Sequence, residues 1–195
     1  MPIGRTPSCY SDSLMRMRFP AAIFLLGFFG ALALGAPPDK PVWPLTLREA
    51  LPVQMAGWVA APRDELPDED ENEMGPYVEV ARFFQRIESP TLARQFRVVV
   101  QDYRGKDVTE SIRRAMAEAK KNSAVETKEF EIGGRKGFAV TDRSAPQPTT
   151  LVTVIVTPSR LVLGQGANVG GEDAIALIRN VDYGRVASVQ REPKR

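Results

Sequence analysis

The chain has 195 residues, with 26 basic and 24 acidic side chains, a single cysteine (Cys9) and no histidine. Without histidine, and without cysteine after residue 9, it lacks the residues for Ser-His-Asp or Cys-His catalysis, for zinc sites of the usual ligand sets and for histidine-ligated haem. Carboxylate, lysine, tyrosine and hydroxyl chemistry remain, so the composition favours a role other than catalysis.

The first recognisable element is an export signal. Arg16 and Arg18 precede an uncharged run over residues 21–36, which ends in small residues just before two prolines. This order of positive, apolar and small-residue regions is typical of a cleaved secretory signal. The run has 16 residues, whereas a membrane-spanning helix needs about 20. An uncleaved anchor and a core helix are the alternatives, and translation starting at Met15 or Met17 would give a more compact signal.

We therefore expect residues 1–36 to be a signal peptide and the mature chain to be periplasmic or extracellular, because the positive flank of a signal or anchor stays inside. Removing this segment leaves 23 basic and 23 acidic residues. This balance gives no electrostatic reason to propose nucleic acid or an anionic membrane as a partner. Membrane attachment is expected only if the N-terminal segment is uncleaved.

The segment over residues 37–76 is expected to contain a short helix and an acidic loop. Thr46 and Glu49 have the spacing of a capping box at a helix start, and Pro52 would end that helix early. The polar stretch that follows indicates a loop.

Two strands are predicted next, over residues 77–87 and 94–103. Both are rich in valine, phenylalanine and tyrosine, and turn-forming residues separate them, which predicts an antiparallel hairpin. Alternation in the second strand assigns one face to Phe96, Val98 and Val100 and the other to Gln95, Arg97 and Gln101.

A long helix and further strands follow the hairpin. Apolar residues at helical spacing from Val108 predict a helix to about Lys121. Gly133 and Gly134, within residues 127–142, predict a tight turn between two strands. The stretch 149–157 is apolar on both faces, which is typical of a central strand, and residues 171–184 predict a last helix.

These elements predict an α+β fold over residues 77–189, followed by a basic tail over residues 190–195. We expect an antiparallel sheet of about six strands, with one long helix after the first hairpin and a C-terminal helix packed on the sheet. The predicted order is β-β-α-β-β-β-β-α.

The acidic stretch contains a candidate calcium site. Its possible ligands occupy positions 1, 3, 5 and 12 of a calcium loop, and they are Asp68, Asp70, Asn72 and Glu79. Position 6, where such a loop needs glycine, is Glu73. The alternative is a solvated acidic loop. Calcium is the single cofactor that the sequence suggests, and we otherwise expect none.

A second candidate site consists of arginines on the first hairpin. Arg82 and Arg86 share one strand face and Arg97 lies on the facing strand. These three could line a surface for an anionic ligand such as a cell-envelope polymer. The alternative is the wet face of a one-sided sheet, with Glu79 and Glu88 as cross-strand partners.

The sequence therefore indicates an exported accessory or binding module of the cell envelope, with an envelope protein or polymer as partner. A hydrolase that uses two carboxylates is one alternative, and a calcium-stabilised structural module is another. A glycoside hydrolase requires two carboxyls roughly 5 to 10 Å apart in a cleft. A calcium module requires the four candidate oxygens to converge, and a binding module requires an exposed apolar or arginine-lined surface.

Overall fold

The computed structural model describes residues 46–61, 67–89, 92–144 and 147–190, which form one antiparallel sheet of eight strands and a few helices. The strands are β1 (Val59–Ala60), β2 (Asp68–Asn72), β3 (Gly75–Ser89), β4 (Leu92–Asp102), β5 (Val125–Ile132), β6 (Arg135–Asp142), β7 (Thr149–Thr157) and β8 (Arg160–Ala167). Residues 46–48 are helical, and the helices that follow them in the chain are α1 (Thr109–Lys120), α2 (Gly171–Ile178) and α3 (Tyr183–Ser188). The expected signal peptide and residues 191–195 of the expected tail lie outside the described residues.

The strands follow the order β1-β3-β4-β8-β7-β6-β5, and β2 pairs with the start of β3. All pairings are antiparallel. The molecule is therefore an α+β protein dominated by its antiparallel sheet. Among the described residues, no helix is long and apolar enough to span a membrane.

The sheet is larger than the six strands expected, because two short strands pair with the two ends of β3. Residues 68–72, expected as part of an acidic loop, form β2 opposite residues 75–79. All five side chains of β2 are exposed, so no apolar alternation marks this strand in the sequence. Residues 68–72 form a strand because their backbone pairs with that of β3.

The helices also differ in detail from the prediction. Thr46 is itself helical, so it is not the residue in front of a helix that the predicted capping box requires. The last helix divides in two, because Asp182 starts α3 by accepting a hydrogen bond from the backbone N–H of Arg185 at 2.8 Å. The apolar spacing predicts one helix over residues 171–184, whereas the structure has two helices, the second of which begins at a polar cap.

Alternating strand residues build one apolar core on each side of the sheet. The side that we call the α2–α3 face packs even-numbered residues of β3 and β4 against α2, α3 and the segment before β1; it includes Leu47, Leu51, Val80, Phe84, Phe96, Val98, Val100, Ala174, Ile178 and Val186. The side that we call the α1 face packs odd-numbered residues of β3, β4 and β8, together with Phe138 of β6, against α1. This core includes Tyr77, Ala81, Val99, Tyr103, Ile112, Phe138 and Leu161.

A buried ion pair ties α3 to the sheet. Arg160 Nε donates to Asp102 Oδ2 at 2.7 Å, and Arg160 Nη1 donates to the carbonyl of Val186 in α3 at 2.8 Å. Asp102 Oδ1 also accepts a hydrogen bond from the backbone N–H of Arg104 at 2.8 Å. Because both charged side chains are buried, this pair fixes the C-terminal helix on the end of β4 and β8.

Candidate functional site

Within the described residues, α1 covers only part of the α1 face, and a row of side chains crosses the sheet beyond this helix. The strand registers place these residues next to one another in the order Phe83, Arg97, Gln165, Leu151 and Val140. All five are partly buried. We call them the cross-sheet row.

Exposed apolar residues extend this row towards the β1 edge of the sheet. Val59 of β1 pairs with Gln85 of β3, and Ile87 lies two positions further along β3, so these three side chains share the α1 face. Val59 is 66% exposed and Ile87 is 72% exposed. We call the part of the α1 face around Val59, Gln85 and Ile87 its uncovered end, a name that refers to the described residues alone. It offers apolar area beside the exposed amide of Gln85.

A hydrogen-bonded network fixes the polar part of the cross-sheet row. Arg97 forms an ion pair with Glu79 through Nη2 and Oε1, and its Nη1 donates to Gln165 Oε1 at 3.2 Å. The Arg97 guanidinium also lies 5.2 Å from the centre of the Phe83 ring. Gln101 Nε2 donates to the other Glu79 oxygen at 2.8 Å. Both carboxylate oxygens of Glu79 are thus bound by side chains of the chain itself.

The network continues into the acidic hairpin, by which we mean residues 68–79. The Tyr103 hydroxyl donates to Gln101 Oε1 at 3.0 Å and accepts from Asn72 Nδ2 at 2.9 Å. The Tyr77 hydroxyl donates to Asp70 Oδ2 at 3.1 Å. The two tyrosine rings are 5.3 Å apart between centroids. The hairpin is therefore held to the sheet by side chains as well as by backbone pairing.

Both tyrosines are neutral hydrogen-bond donors over the physiological pH range. Burial raises the pKa of Tyr103 to about 12. Burial also raises the pKa of Tyr77, and the nearby carboxylates of Glu79 and Asp70 raise it further. A negative charge on either hydroxyl would be desolvated and would lie close to carboxylates, so the neutral form is favoured.

The four candidate calcium ligands all lie on the acidic hairpin, but β2 replaces the loop that a site of this kind requires. Asp68 lies opposite Glu79 in the β2–β3 pairing. Asp70 accepts from Tyr77, while Asn72 Oδ1 accepts from the Met74 backbone N–H at 2.9 Å. Within the described part of the chain, no group of three or more histidine, cysteine, aspartate or glutamate side chains is arranged to hold a metal ion.

The strand register separates the three candidate arginines. Arg97 pairs with Phe83 and lies on the α1 face, whereas Arg82 and Arg86 lie on the α2–α3 face. Arg82 Nη1 donates to the Pro52 carbonyl at 3.2 Å, and Arg86 Nε lies 3.7 Å from a Glu88 carboxylate oxygen. The structure therefore brings Arg97 together with Glu79 and does not bring it together with the other two arginines.

Residues that sequence reasoning did not single out complete the site. Phe83, Gln165 and Tyr77 join it through strand pairing, which a single sequence does not reveal. The alternation in β4 did assign Arg97 and Gln101 to a common face, and the structure confirms that assignment. Gln101 is nevertheless buried, because its amide bridges Glu79 and Tyr103.

A scan against models of known protein families finds no match for this chain, and a search of curated proteins finds no match either.

Proposed function

We propose that the protein is an exported, non-catalytic binding module of the cell envelope, which holds an envelope protein or polymer against the uncovered end of the α1 face. One observation carries this proposal: Val59 and Ile87 are strongly exposed on the same face as the partly buried cross-sheet row. Exposed apolar area bordered by polar groups is typical of interaction surfaces.

The state of the carboxylates supports binding over hydrolysis. Glu79 is the acidic residue beside the cross-sheet row, and Arg97 and Gln101 occupy its two oxygens. Hydrolysis by two carboxylates needs one that can give a proton to the substrate and one that can attack it or activate water. An ion-paired and doubly hydrogen-bonded carboxylate is instead suited to holding neighbouring side chains in place.

The same network supports binding by limiting the motion of the surface. Arg97 has contacts with Glu79, with Gln165 and with the Phe83 ring. Ordering a long side chain on binding costs about 0.5 to 1.5 kcal/mol. Because Arg97 is already ordered in the free protein, a partner that contacts it avoids most of this cost.

Export can be tested by expressing the full chain and sequencing the N-terminus of the protein recovered outside the cytoplasm. We expect an N-terminus near residue 37, and we expect the chain without residues 1–36 to stay in the cytoplasm. Recovery of the full-length chain in the cytoplasm alone would contradict the proposed location.

Binding can be tested by sedimenting residues 37–195 with cell-envelope fractions. We expect Val59→Lys and Ile87→Lys each to reduce the bound fraction, because each puts a charge into the apolar area. Val53→Lys is a matched control, since Val53 is also 66% exposed but lies in the segment before β1. Equal binding of the Val59, Ile87 and Val53 variants would contradict this assignment of the surface.

A further inference from the structure

We infer that the outer edge of β5 binds an extended segment of a partner protein in which basic and apolar residues alternate. Within the described part of the chain, β5 pairs with β6 on one side and with no strand on the other. Both ends of β3, at the opposite edge, are paired, with β1 and with β2. An edge strand presents backbone N–H and C=O groups that an added strand can bind.

The length and regularity of β5 suit the addition of a strand. All eight residues of β5 pair with β6 without a bulge. By contrast, β1 has two residues. An edge of eight residues without a bulge gives a partner strand a continuous series of backbone hydrogen bonds.

Charged side chains commonly protect an edge strand, but in β5 most of them are already neutralised. Glu129 pairs with Lys120 of α1 at 2.5 Å on the α1 face. Lys128 pairs with Glu172 of α2 on the other face, and Glu126 pairs with Arg143. These ion pairs hold the charges to the chain's own helices and to the residue after β6, so they weaken, without removing, the repulsion of an approaching strand of like charge.

The chemistry of the partner segment follows from the side chains at the end of β5. Phe130 and Ile132 are partly buried and pack against the core of the α2–α3 face. Apolar side chains opposite them would extend that core. Glu129 and Glu131 would be the nearest neighbours of the added strand on the α1 face, where opposite charges stabilise a cross-strand pair and like charges destabilise it. The best partner therefore alternates apolar residues with lysine or arginine.

The same charges disfavour a second copy of this chain as the partner. In an antiparallel pair of β5 strands, the register that joins the two Phe130 side chains places Glu129 of each copy opposite Glu131 of the other. Like charges directly opposite each other destabilise the pair. This surface differs from the uncovered end of the α1 face, so either proposal can fail without the other.

The test uses residues 37–195 and a labelled synthetic peptide that alternates lysine and valine over the eight-residue length of β5. We expect saturable binding by fluorescence anisotropy and slower hydrogen exchange of the β5 amides. A peptide of the same composition with all lysines before all valines should not protect these amides. Glu131→Lys should weaken binding about fivefold, and a peptide that alternates glutamate and valine should bind this variant better than it binds the parent.

The control variant is Glu110→Lys, which makes the same charge change on the exposed side of α1. Equal weakening by Glu110→Lys and Glu131→Lys, or equal protection by the block-order peptide, would overturn the inference, because attraction between charges would then explain the binding. If the peptide binds only after residues 191–195 are deleted, the chain's own tail occupies the edge of β5. Dimers by light scattering that Glu131→Lys strengthens, because it places lysine opposite Glu129 of the other copy, would assign the edge to a second copy. Either result would also overturn the inference.

Discussion

Replacing Arg160 by methionine should strongly destabilise the protein, because it takes the guanidinium away from a fully buried carboxylate. The side chains of Arg160 and Asp102 are 6% and 0% exposed, and Nε lies 2.7 Å from Oδ2. The substitution also removes the donor to the Val186 carbonyl in α3. Removing one partner of a buried ion pair costs about 3 to 5 kcal/mol. A whole domain is stable by only about 5 to 15 kcal/mol, so the expected loss is a large part of the total.

Urea unfolding of residues 37–195, followed by circular dichroism, measures this loss. The matched control is Arg143→Met, which breaks an ion pair whose side chains are 69% and 57% exposed and should cost at most about 1 kcal/mol. Adding Asp102→Asn to Arg160→Met removes the buried charge and should recover part of the stability. If Arg160→Met and Arg143→Met lower the free energy of unfolding equally, the buried ion pair does not hold α3 to the sheet.

Three further results are expected for residues 37–195. This part of the chain has three tyrosines, Tyr77, Tyr103 and Tyr183, and burial raises the pKa of each. The buried neutral hydroxyls contribute their full stabilisation of the folded state below the unfolded tyrosine pKa of about 10. This contribution is lost as the pH rises through the pKa values of the tyrosines in the folded protein. Tyrosinate absorbance should therefore appear only at strongly alkaline pH, together with unfolding, and titration near pH 10 in the folded state would contradict the burial. Millimolar calcium should leave the thermal midpoint unchanged relative to excess chelator, whereas a rise of several degrees that Asp70→Ala abolishes would establish a calcium site. Gly166→Ala should cost about 1 to 3 kcal/mol, because the added Cβ would lie 2.7 Å from Val169 Cβ. Gly184→Ala, in α3, should instead be neutral or stabilise by up to about 1 kcal/mol, and urea unfolding compares the two.

Local patterns predict the antiparallel α+β class because the alternation in each long strand is set by burial of that same strand. In β4, Phe96, Val98 and Val100 are buried on one face as their spacing predicts. The short strand β2 has no such signal, since its side chains are all exposed. The start of α3 is marked by one hydrogen bond from the Arg185 backbone to Asp182, a local cap that apolar periodicity does not reveal.

The site is less predictable than the fold because it depends on register between strands. A shift of one residue moves a side chain to the other face of a sheet. Reasoning from the sequence grouped Arg97 with Arg82 and Arg86, whereas the β3–β4 register places Arg97 beside Phe83 and on the opposite face. The alternative that the sequence offered, with Glu79 as a cross-strand partner of these arginines, is confirmed for Arg97, which lies 18 positions away along the chain.

The unequal cover of the two faces connects this fold to the proposed binding role. The path of seven strands from β1 to β5 spans about 29 Å at about 4.8 Å per strand. In the part of the chain that the structure describes, the one helix on the α1 face has 12 residues, which gives it a length of about 18 Å. This helix contacts β5 and forms an ion pair with it through Lys120. The part of the α1 face near β1, at the opposite edge of the sheet, is therefore the furthest from α1. Val59 and Ile87 lie there. Because water is a poor environment for apolar side chains grouped on a sheet, a partner that covers this end of the face would complete the packing that α1 begins.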